Sequence, residues 1–134
     1  MPIFTVREAA ELLGVSDDTV RRWADAGKLQ VVERSPGHRG IDGRELASFA
    51  VAQASEPPAP GAAVVSARNR LVGIVTAVKR DAVMAQVELQ CGQHRIVSLM
   101  SREAADELGL EPGVRALASI KSTNVVVELP PDRR

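Results

Sequence analysis

A nine-residue stretch near the middle of the chain, Ser-Glu-Pro-Pro-Ala-Pro-Gly-Ala-Ala at residues 55–63, constrains the fold more than any other feature. Prolines occupy three of the four positions 57–60. Proline fixes φ and lacks an amide donor, so this composition favours an extended spacer over packed structure. A chain of 134 residues is long enough for one ordinary domain or two small ones. We therefore predict two domains, residues 1–54 and residues 64–134, joined by a proline-rich linker at residues 55–63.

Composition and charge narrow the class of protein. The 17 Lys and Arg residues balance the 17 Asp and Glu residues, which disfavours strong non-specific nucleic-acid binding but not a small basic surface. No apolar run approaches the roughly 20 residues that span a membrane, and the N-terminus lacks a signal-peptide pattern. The lone cysteine, Cys91, lies in an expected hairpin turn and suits a reducing compartment. We predict a cytoplasmic protein with no membrane partner and with Cys91 at the surface or at an interface.

The first 54 residues carry the signals of short helices. Thr5-x-x-Glu8 is a capping-box pattern, and Gly14 is a typical helix stop. Ser16 then caps a second helix that runs to about Ala26. Two short helices separated by a tight Gly-Val-Ser turn predict a helix-turn-helix unit.

A small β-wing follows these helices. Residues 28–34 alternate as a short strand, residues 35–40 form a turn, and Asp42 caps a third helix with a buried stripe. With these features residues 3–50 resemble the MerR/excisionase type of winged helix-turn-helix. The residues that carry the resemblance are Phe4-Thr5-Val6-x-Glu8-Ala9-Ala10-x-Leu12-Leu13-Gly14-Val15-Ser16, Thr19-Val20-Arg21-Arg22-Trp23, Gly27-Lys28-Leu29 and Gly37-His38-Arg39.

This resemblance implies double-stranded DNA as a partner. The second helix would enter the major groove, and the wing would touch the backbone or the minor groove. The alternative is that the arginines are ordinary surface charges, and the neighbouring Asp17 and Asp18 lower the affinity of this face for DNA. The candidate DNA contacts are Thr19, Arg21 and Arg22 on the helix and Arg34, His38 and Arg39 on the wing.

The pattern of the second half of the chain predicts short β-strands. Its strand-like segments alternate apolar and polar residues, and Ser101 caps a short helix that ends at Gly109. Five strands and one inserted helix predict an all-β OB-like barrel. The expected strands are residues 71–78, 83–89, 96–100, 114–121 and 124–129.

Two segments of this half place small hydroxyl residues beside a single cation, near the ends of expected strands. A tetrahedral oxyanion needs a donor for each oxygen and partial neutralisation of its charge, which such segments can supply. Ser101 adds a hydroxyl at a helix N-terminus, where the first amides favour an anion. The alternative is that the cations are solvated surface charges and that the hydroxyl residues are ordinary turn and cap residues. The candidate oxyanion-binding residues are Ser66, Ala67, Arg68, Asn69, Ser101, Lys121, Ser122 and Thr123.

Residues 65–129 resemble a Mop domain, the molybdate- or tungstate-binding module of the molbindins and of the TOBE family. Three motifs in register carry this resemblance: Ser-Ala-Arg-Asn-x-Leu-x-Gly from Ser66, Ser101-x-Glu103-x-x-x-Glu107-Leu108-Gly109-Leu110, and Ile-Lys-Ser-Thr-x-Val from Ile120. The resemblance implies an anion held between subunits, with the first motif of one chain facing the Lys-Ser-Thr segment of another. It therefore implies a homo-oligomer, from a dimer up to a hexamer. A rigid cage could select these larger dianions over sulfate and phosphate by size.

Three functions remain open at this point. The first is a transcriptional regulator whose Mop domain senses molybdate or tungstate, and the second is a storage or buffering protein whose helical head mediates protein contacts. In the third, DNA binding is kept and the C-terminal domain only oligomerises.

No nucleophile–base pair or phosphate-cradling loop appears, so we predict no catalytic residues. His38 has no second histidine at metal-ligand spacing, so we predict no metal site.

Overall fold

The computed structural model describes residues 2–54 and residues 65–131 of the chain. They belong to two compact units, Met1–Ser55 and Glu56–Arg134. The expected linker at residues 55–63 lies outside the described residues. Within the described ranges, no helix is both long enough and apolar enough to cross a membrane.

The N-terminal unit contains the helices α1 (Val6–Leu13), α2 (Asp17–Asp25) and α3 (Gly43–Gln53). The capping box at α1 is formed: the Glu8 amide donates to Thr5 Oγ1 at 3.1 Å, and the Thr5 amide donates to Glu8 Oε1 at 2.9 Å. Gly14 ends this helix with a φ of 70°, a left-handed conformation that glycine adopts at low cost. Ser16 Oγ accepts the Thr19 amide and so starts α2. The predicted helix starts are confirmed.

A three-stranded antiparallel sheet completes this unit. Its strands β1 (Ile3–Phe4), β2 (Val32–Ser35) and β3 (His38–Asp42) lie in the order β1-β3-β2. The β2–β3 hairpin is the predicted wing, but it begins later than the expected strand at residues 28–34. The reason is that the Lys28 and Leu29 amides donate to the Trp23 carbonyl, so these two residues form the turn that follows α2. Strand β1 was not predicted because two residues carry no readable periodicity.

One apolar core holds the helices against the sheet. Val20 and Ile41 have no exposed surface, and Leu29 is 1% exposed. The rings of Trp23 and Phe49 pack at the edge of this core with their centroids 5.0 Å apart. Burying α2 through Val20 leaves its polar residues on the outer face.

The C-terminal unit is a four-stranded antiparallel sheet with one short helix, α4 (Arg102–Glu107). The strand order is β6-β5-β4-β7, and a bulge between Val75 and Ala77 interrupts the pairing of β4 with β5. The predicted fold class is confirmed: a helix-turn-helix head and an OB-like antiparallel sheet with one inserted helix. The strands are β4 (Asn69–Arg80), β5 (Met84–Cys91), β6 (His94–Ser101) and β7 (Arg115–Ile120).

The expected fifth strand at residues 124–129 is wrong for a single chain. Ser122–Asn124 form a 3-10 turn, and the residues that follow are not in a strand. Val126 and Val127 are each 87% exposed, and Leu129 is 91% exposed. The alternation of these residues suits a strand, but a strand needs a hydrogen-bonding partner, and the described part of the chain supplies none.

Cys91 corrects a second expectation. It is the last residue of β5 rather than a turn residue, and only 4% of it is exposed. Its sulfur faces the backbone of Gly73, where an added Cβ would lie 2.5 Å from Cys91 Sγ. Gly73 therefore marks a close approach of backbone and side chain, which explains why a strand here contains glycine.

Candidate functional site

Strand pairing brings two of the predicted oxyanion segments together. Strand β4 runs antiparallel to β7 with Asn69 opposite Ile120. The residues before Asn69 and those after Ile120 therefore leave the sheet at the same end. The Asn69 side chain joins the two strands there, because its Nδ2 donates to the Ile120 carbonyl at 3.0 Å. We call the pair Ser66–Asn69 and Lys121–Thr123 the two-segment end.

The two-segment end carries two cations beside hydroxyl groups. Arg68 Nη1 donates to the Val65 carbonyl at 3.0 Å, which leaves the other guanidinium donors open. Neither Arg68 nor Lys121 forms an ion pair with any carboxylate among the described residues. Such a surface offers positive charge and donors without a competing anion of its own. Ala67 and Asn69 are half-buried, whereas the side chains of Ser66, Arg68, Lys121, Ser122 and Thr123 are exposed.

Ser101 lies elsewhere in the same chain. Its Oγ accepts the Ala104 amide at 3.1 Å, so it caps α4 as expected. It pairs with Met84, and β5 enters the sheet beside Arg80, at the far end of β4 from Asn69. One chain does not bring Ser101 to the two-segment end. A role for it in the same site stays a prediction that requires a second chain.

The surface of the head contains a groove of about 680 Å³ between the starts of α1 and α2 and the wing. Four of the six predicted DNA contacts line it: Arg21, Arg34, His38 and Arg39. Thr19 and Arg22 do not; Arg22 Nη2 instead donates to Thr19 Oγ1 at 3.1 Å. The complete lining is Thr5, Val6, Arg7, Asp17, Arg21, Arg34, Ser35, Gly37, His38 and Arg39.

Arg7 is the arginine of the lining that was not among the candidate DNA contacts. It follows the capping Thr5 and precedes the buried pair Ala9 and Ala10, so it lies on the outer face of α1. The sequence is consistent with this exposure, because Arg7 falls between the positions of the helix that carry apolar residues. Its proximity to the wing could not be predicted, because only the hairpin return of β2 and β3 brings Arg34 and Arg39 to the same groove.

The arginines of the groove differ in their ion pairs. Arg21 contacts Asp18 at 3.2 Å and Asp17 at 4.0 Å. Arg39 contacts Asp25 at 3.4 Å. All these pairs are largely exposed, so each contributes at most about 1 kcal/mol and can exchange partners readily.

The shifted pKa values lie outside both surfaces. Backbone donation from Met84 and Val83 lowers the pKa of Asp81. The hydrogen bond from Arg95 lowers the pKa of Glu88, and Glu88 in turn raises the pKa of Arg95. Among residues 2–54 and 65–131, no cluster of His, Cys, Asp and Glu is arranged to hold a metal ion. These titrating groups stabilise turns and strands.

The fold and its two surfaces define a class of protein: a helix-turn-helix head followed by an OB-like domain with a cationic, hydroxyl-rich end. Residues 65–127 match the TOBE domain family, and residues 3–53 match a helix-turn-helix domain family. The chain belongs to the TOBE-domain family that includes the molybdenum-pterin-binding proteins. The helix-turn-helix match is general, so the MerR/excisionase subtype is approximate.

Two curated relatives illustrate the extent of the likeness. Molybdenum-pterin-binding protein 3 of Clostridium pasteurianum is 41% identical over 64 residues, which are 47% of this chain and 94% of the relative. Molybdenum-pterin-binding protein MopA of Rhodobacter capsulatus is 35% identical over 107 residues, 75% of this chain and 39% of MopA. Among solved structures, the cytoplasmic molybdate-binding protein ModG is 41% identical with a TM-score of 0.49, over 52% of this chain and 50% of ModG.

Proposed function

We propose that this protein is a DNA-binding transcriptional regulator that responds to molybdate or tungstate, with the oxyanion held at the two-segment end. The observation that carries the proposal is the strand pairing that places Arg68, Lys121 and three hydroxyl residues at one end of the sheet, where Asn69 hydrogen-bonds the Ile120 carbonyl. The names of the molybdenum-pterin-binding relatives support a molybdenum-containing ligand.

The exposure of the two-segment end supports a site completed between subunits. An anion bound by one chain there would keep most of its water, because the hydroxyl and cationic side chains are exposed. A second chain would supply further donors and exclude solvent, which strengthens each charged hydrogen bond. The partner that we propose is therefore another copy of this chain, in a dimer or a larger ring up to a hexamer.

The exposed stretch Val125–Leu129 supports the same assembly. In the C-terminal unit an apolar cavity of about 680 Å³ opens between β6 and β7 and is lined by residues such as Val87, Leu89 and Ile96. Both strands are edges of the sheet. We propose that Val125–Leu129 of a second copy adds as a strand at this opening. The added strand would bury apolar side chains and pair with the open backbone N–H and C=O groups of an edge strand.

The regulator differs from its alternative, a storage or buffering protein, in the use made of the head. The Clostridium relative is matched over 94% of its length by 64 residues, so it resembles the TOBE part of this chain. The additional helix-turn-helix domain and its arginine-lined groove support DNA binding here. The engagement of Arg21 by Asp17 and Asp18 is the observation that favours storage, because it reduces the charge available to DNA.

Calorimetric titration of the full chain with molybdate, tungstate and sulfate tests the oxyanion part. Arg68→Ala and Lys121→Ala should each weaken molybdate or tungstate binding about tenfold, since each removes a charged partner worth about 1.4 kcal/mol. Lys79→Ala is the matched control, because Lys79 lies near the other end of β4, opposite Gln86, and does not line the apolar cavity. Equal affinity for sulfate, or an equal loss in the control, would contradict the site.

Fluorescence anisotropy tests the DNA part, with duplexes enriched by the full chain from a random-sequence library. Molybdate or tungstate should change duplex affinity, because a ligand shifts an equilibrium only between states that bind it differently. The double substitution Arg21→Ala with Arg22→Ala should abolish duplex binding and leave anion affinity unchanged. Anion binding at several sites per oligomer with no duplex binding would support storage instead.

A further inference from the structure

The groove of the head combines features that suit the sugar–phosphate backbone of DNA rather than its base edges. Its lining includes four arginines, Arg7, Arg21, Arg34 and Arg39, and a single carboxylate, that of Asp17. Arg21 already contacts this carboxylate at 4.0 Å. The groove therefore carries excess positive charge on one concave surface, with His38 beside it.

Arg7 and Arg34 stand apart from the other two arginines. Arg21 and Arg39 each have an aspartate partner, but neither Arg7 nor Arg34 forms an ion pair with any described residue. Both side chains are exposed. An unpaired guanidinium offers a planar set of donors that fits two phosphate oxygens at once, and no carboxylate has to be displaced first.

The wing is held in place by contacts within the head. The Gly37 amide donates to Glu33 Oε1 at 3.1 Å across the turn of the wing. Gly40 packs against the neighbouring strand, where an added Cβ would lie 2.6 Å from the Ile3 side chain. Arg34 and Arg7 therefore face the groove from two elements of one packed unit.

The geometry points to a backbone-phosphate seat on the DNA partner, with Arg7 of α1 and Arg34 of the wing as its two principal contacts. This inference rests on the proposed DNA binding and adds to it a residue, Arg7, and a division of labour. Thr19 and Arg22, which hydrogen-bond each other outside the groove, are left for the base edges. Phosphate contacts set register and affinity but carry no sequence information, so the two groups of residues have different signatures.

Anisotropy titrations of the full chain with two labelled duplexes of about three helical turns test the seat. One duplex is enriched from a random library, and the other has a scrambled sequence. Arg7→Ala should weaken binding to both duplexes by the same factor, about tenfold. The slope of log affinity against log salt, measured across about 50–200 mM, should become shallower by about 0.9. Arg34→Ala should do the same. In the double variant the decrease in slope should be about twice that of either single variant.

Arg7→Lys keeps the charge and should recover the salt slope while leaving affinity below that of the unchanged chain, because an ammonium cannot bind two oxygens in the planar way. The matched control is Arg44→Ala, since Arg44 lies on α3 and does not line the groove. Circular dichroism of each variant verifies the fold.

The outcomes separate this inference from the function on which it rests. If the unchanged chain binds neither duplex at any salt concentration, the DNA-binding proposal fails and the seat fails with it. If the unchanged chain binds and Arg7→Ala leaves the slope intact, or weakens only the enriched duplex, the seat alone is overturned. Preference of the unchanged chain for single-stranded RNA of the same length would also overturn it.

Discussion

Gly73 shows how one small residue sets the spacing of the C-terminal sheet. Its backbone passes so close to β5 that an added Cβ would lie 2.5 Å from Cys91 Sγ and 2.6 Å from the Gln90 carbonyl oxygen. The neighbouring strand cannot move away without breaking the pairing of Ile74 with Gln90. A side chain at this position would therefore have to displace the Cys91 sulfur or the backbone of β5.

We predict that Gly73→Ala lowers the free energy of unfolding of the C-terminal unit by about 1–3 kcal/mol, because it overpacks a closed site. Hydrogen exchange of peptides from β4 and β5, followed by mass spectrometry, measures the loss. Adding Cys91→Ala removes only the sulfur contact, so the double variant should recover stability only in part. Full recovery would mean that the Gln90 carbonyl is free to shift.

Asp81 links pH to the β4–β5 turn. Its Oδ1 accepts the Met84 amide at 2.7 Å and the Val83 amide at 2.8 Å, and these bonds lower its pKa. In the unfolded chain the carboxyl of Asp81 titrates at about 3.9. The stabilisation that its two hydrogen bonds supply is therefore complete above that pH and is lost as pH falls through the lower pKa of the folded state. We predict that Asp81→Asn flattens the acid side of the stability profile of this turn, as measured by hydrogen exchange. An unchanged profile would contradict the assignment.

The sequence predicts which residue types the proposed oxyanion site would use, but not the hydrogen bond that joins its two segments. Hydroxyls beside Arg68 and Lys121 were readable because the motifs are contiguous. The bond from Asn69 to the Ile120 carbonyl was not, because the two residues are 51 positions apart and meet only through strand pairing. The position of Arg7 beside the wing could not be predicted for the same reason, because Arg7 and Arg34 are far apart in the sequence.

Among the elements, α4 receives three side-chain hydrogen bonds on and after it from one arginine of the sheet, in addition to the packing of its buried Ala105. Arg80 of β4 is only 21% exposed, and its guanidinium donates to Asp106, to Glu111 and to the Leu110 carbonyl, the last at 2.8 Å. Three acceptors on and after a helix of six residues fix the position of that helix. The helix is too short to persist without such contacts.

We predict that Arg80→Met destabilises α4 by about 1–2 kcal/mol, since it removes charged hydrogen bonds of limited exposure but keeps the apolar stem. Hydrogen exchange of a peptide covering Arg102–Glu107 should accelerate accordingly. Arg102→Met is the comparison: its contacts are longer, 3.6 Å to Asp106 and 3.3 Å to the Asp81 carbonyl, and the arginine side chain is 48% exposed, so its removal should cost less. Equal effects of the two changes would argue against a special role of Arg80 in holding α4.

The success of sequence prediction varied with how local each element is. The ends of α1 and α2 followed from Thr5, Gly14 and Ser16, because caps are formed by neighbours in the chain. The stretch at residues 124–129 was assigned to a strand from its alternation alone. Alternation reports what a segment can do, whereas a strand also requires a partner whose presence depends on the assembly.

For the whole molecule, the exposed stretch Val125–Leu129 gives the sharpest prediction. Val126→Asp with Val127→Asp changes two residues that are each 87% exposed in one chain, so an isolated chain should fold unaltered. If a second copy covers them, the variant should dissociate to monomers in light scattering coupled to size exclusion. Leu12→Asp alters an exposed apolar residue of the head, 63% exposed, and should leave the assembly intact. A monomeric unchanged chain would contradict the proposal.

Lys121–Thr123 lie one residue before that stretch, which has a consequence for how anion binding is measured. If a second copy anchors Val125–Leu129, that contact also sets the angle at which the lysine and the two hydroxyls are presented. Anion affinity would then be a property of the assembly and not of the polypeptide. Diluting the protein should release the ion, and a dissociation constant obtained at nanomolar protein should exceed one obtained at micromolar protein.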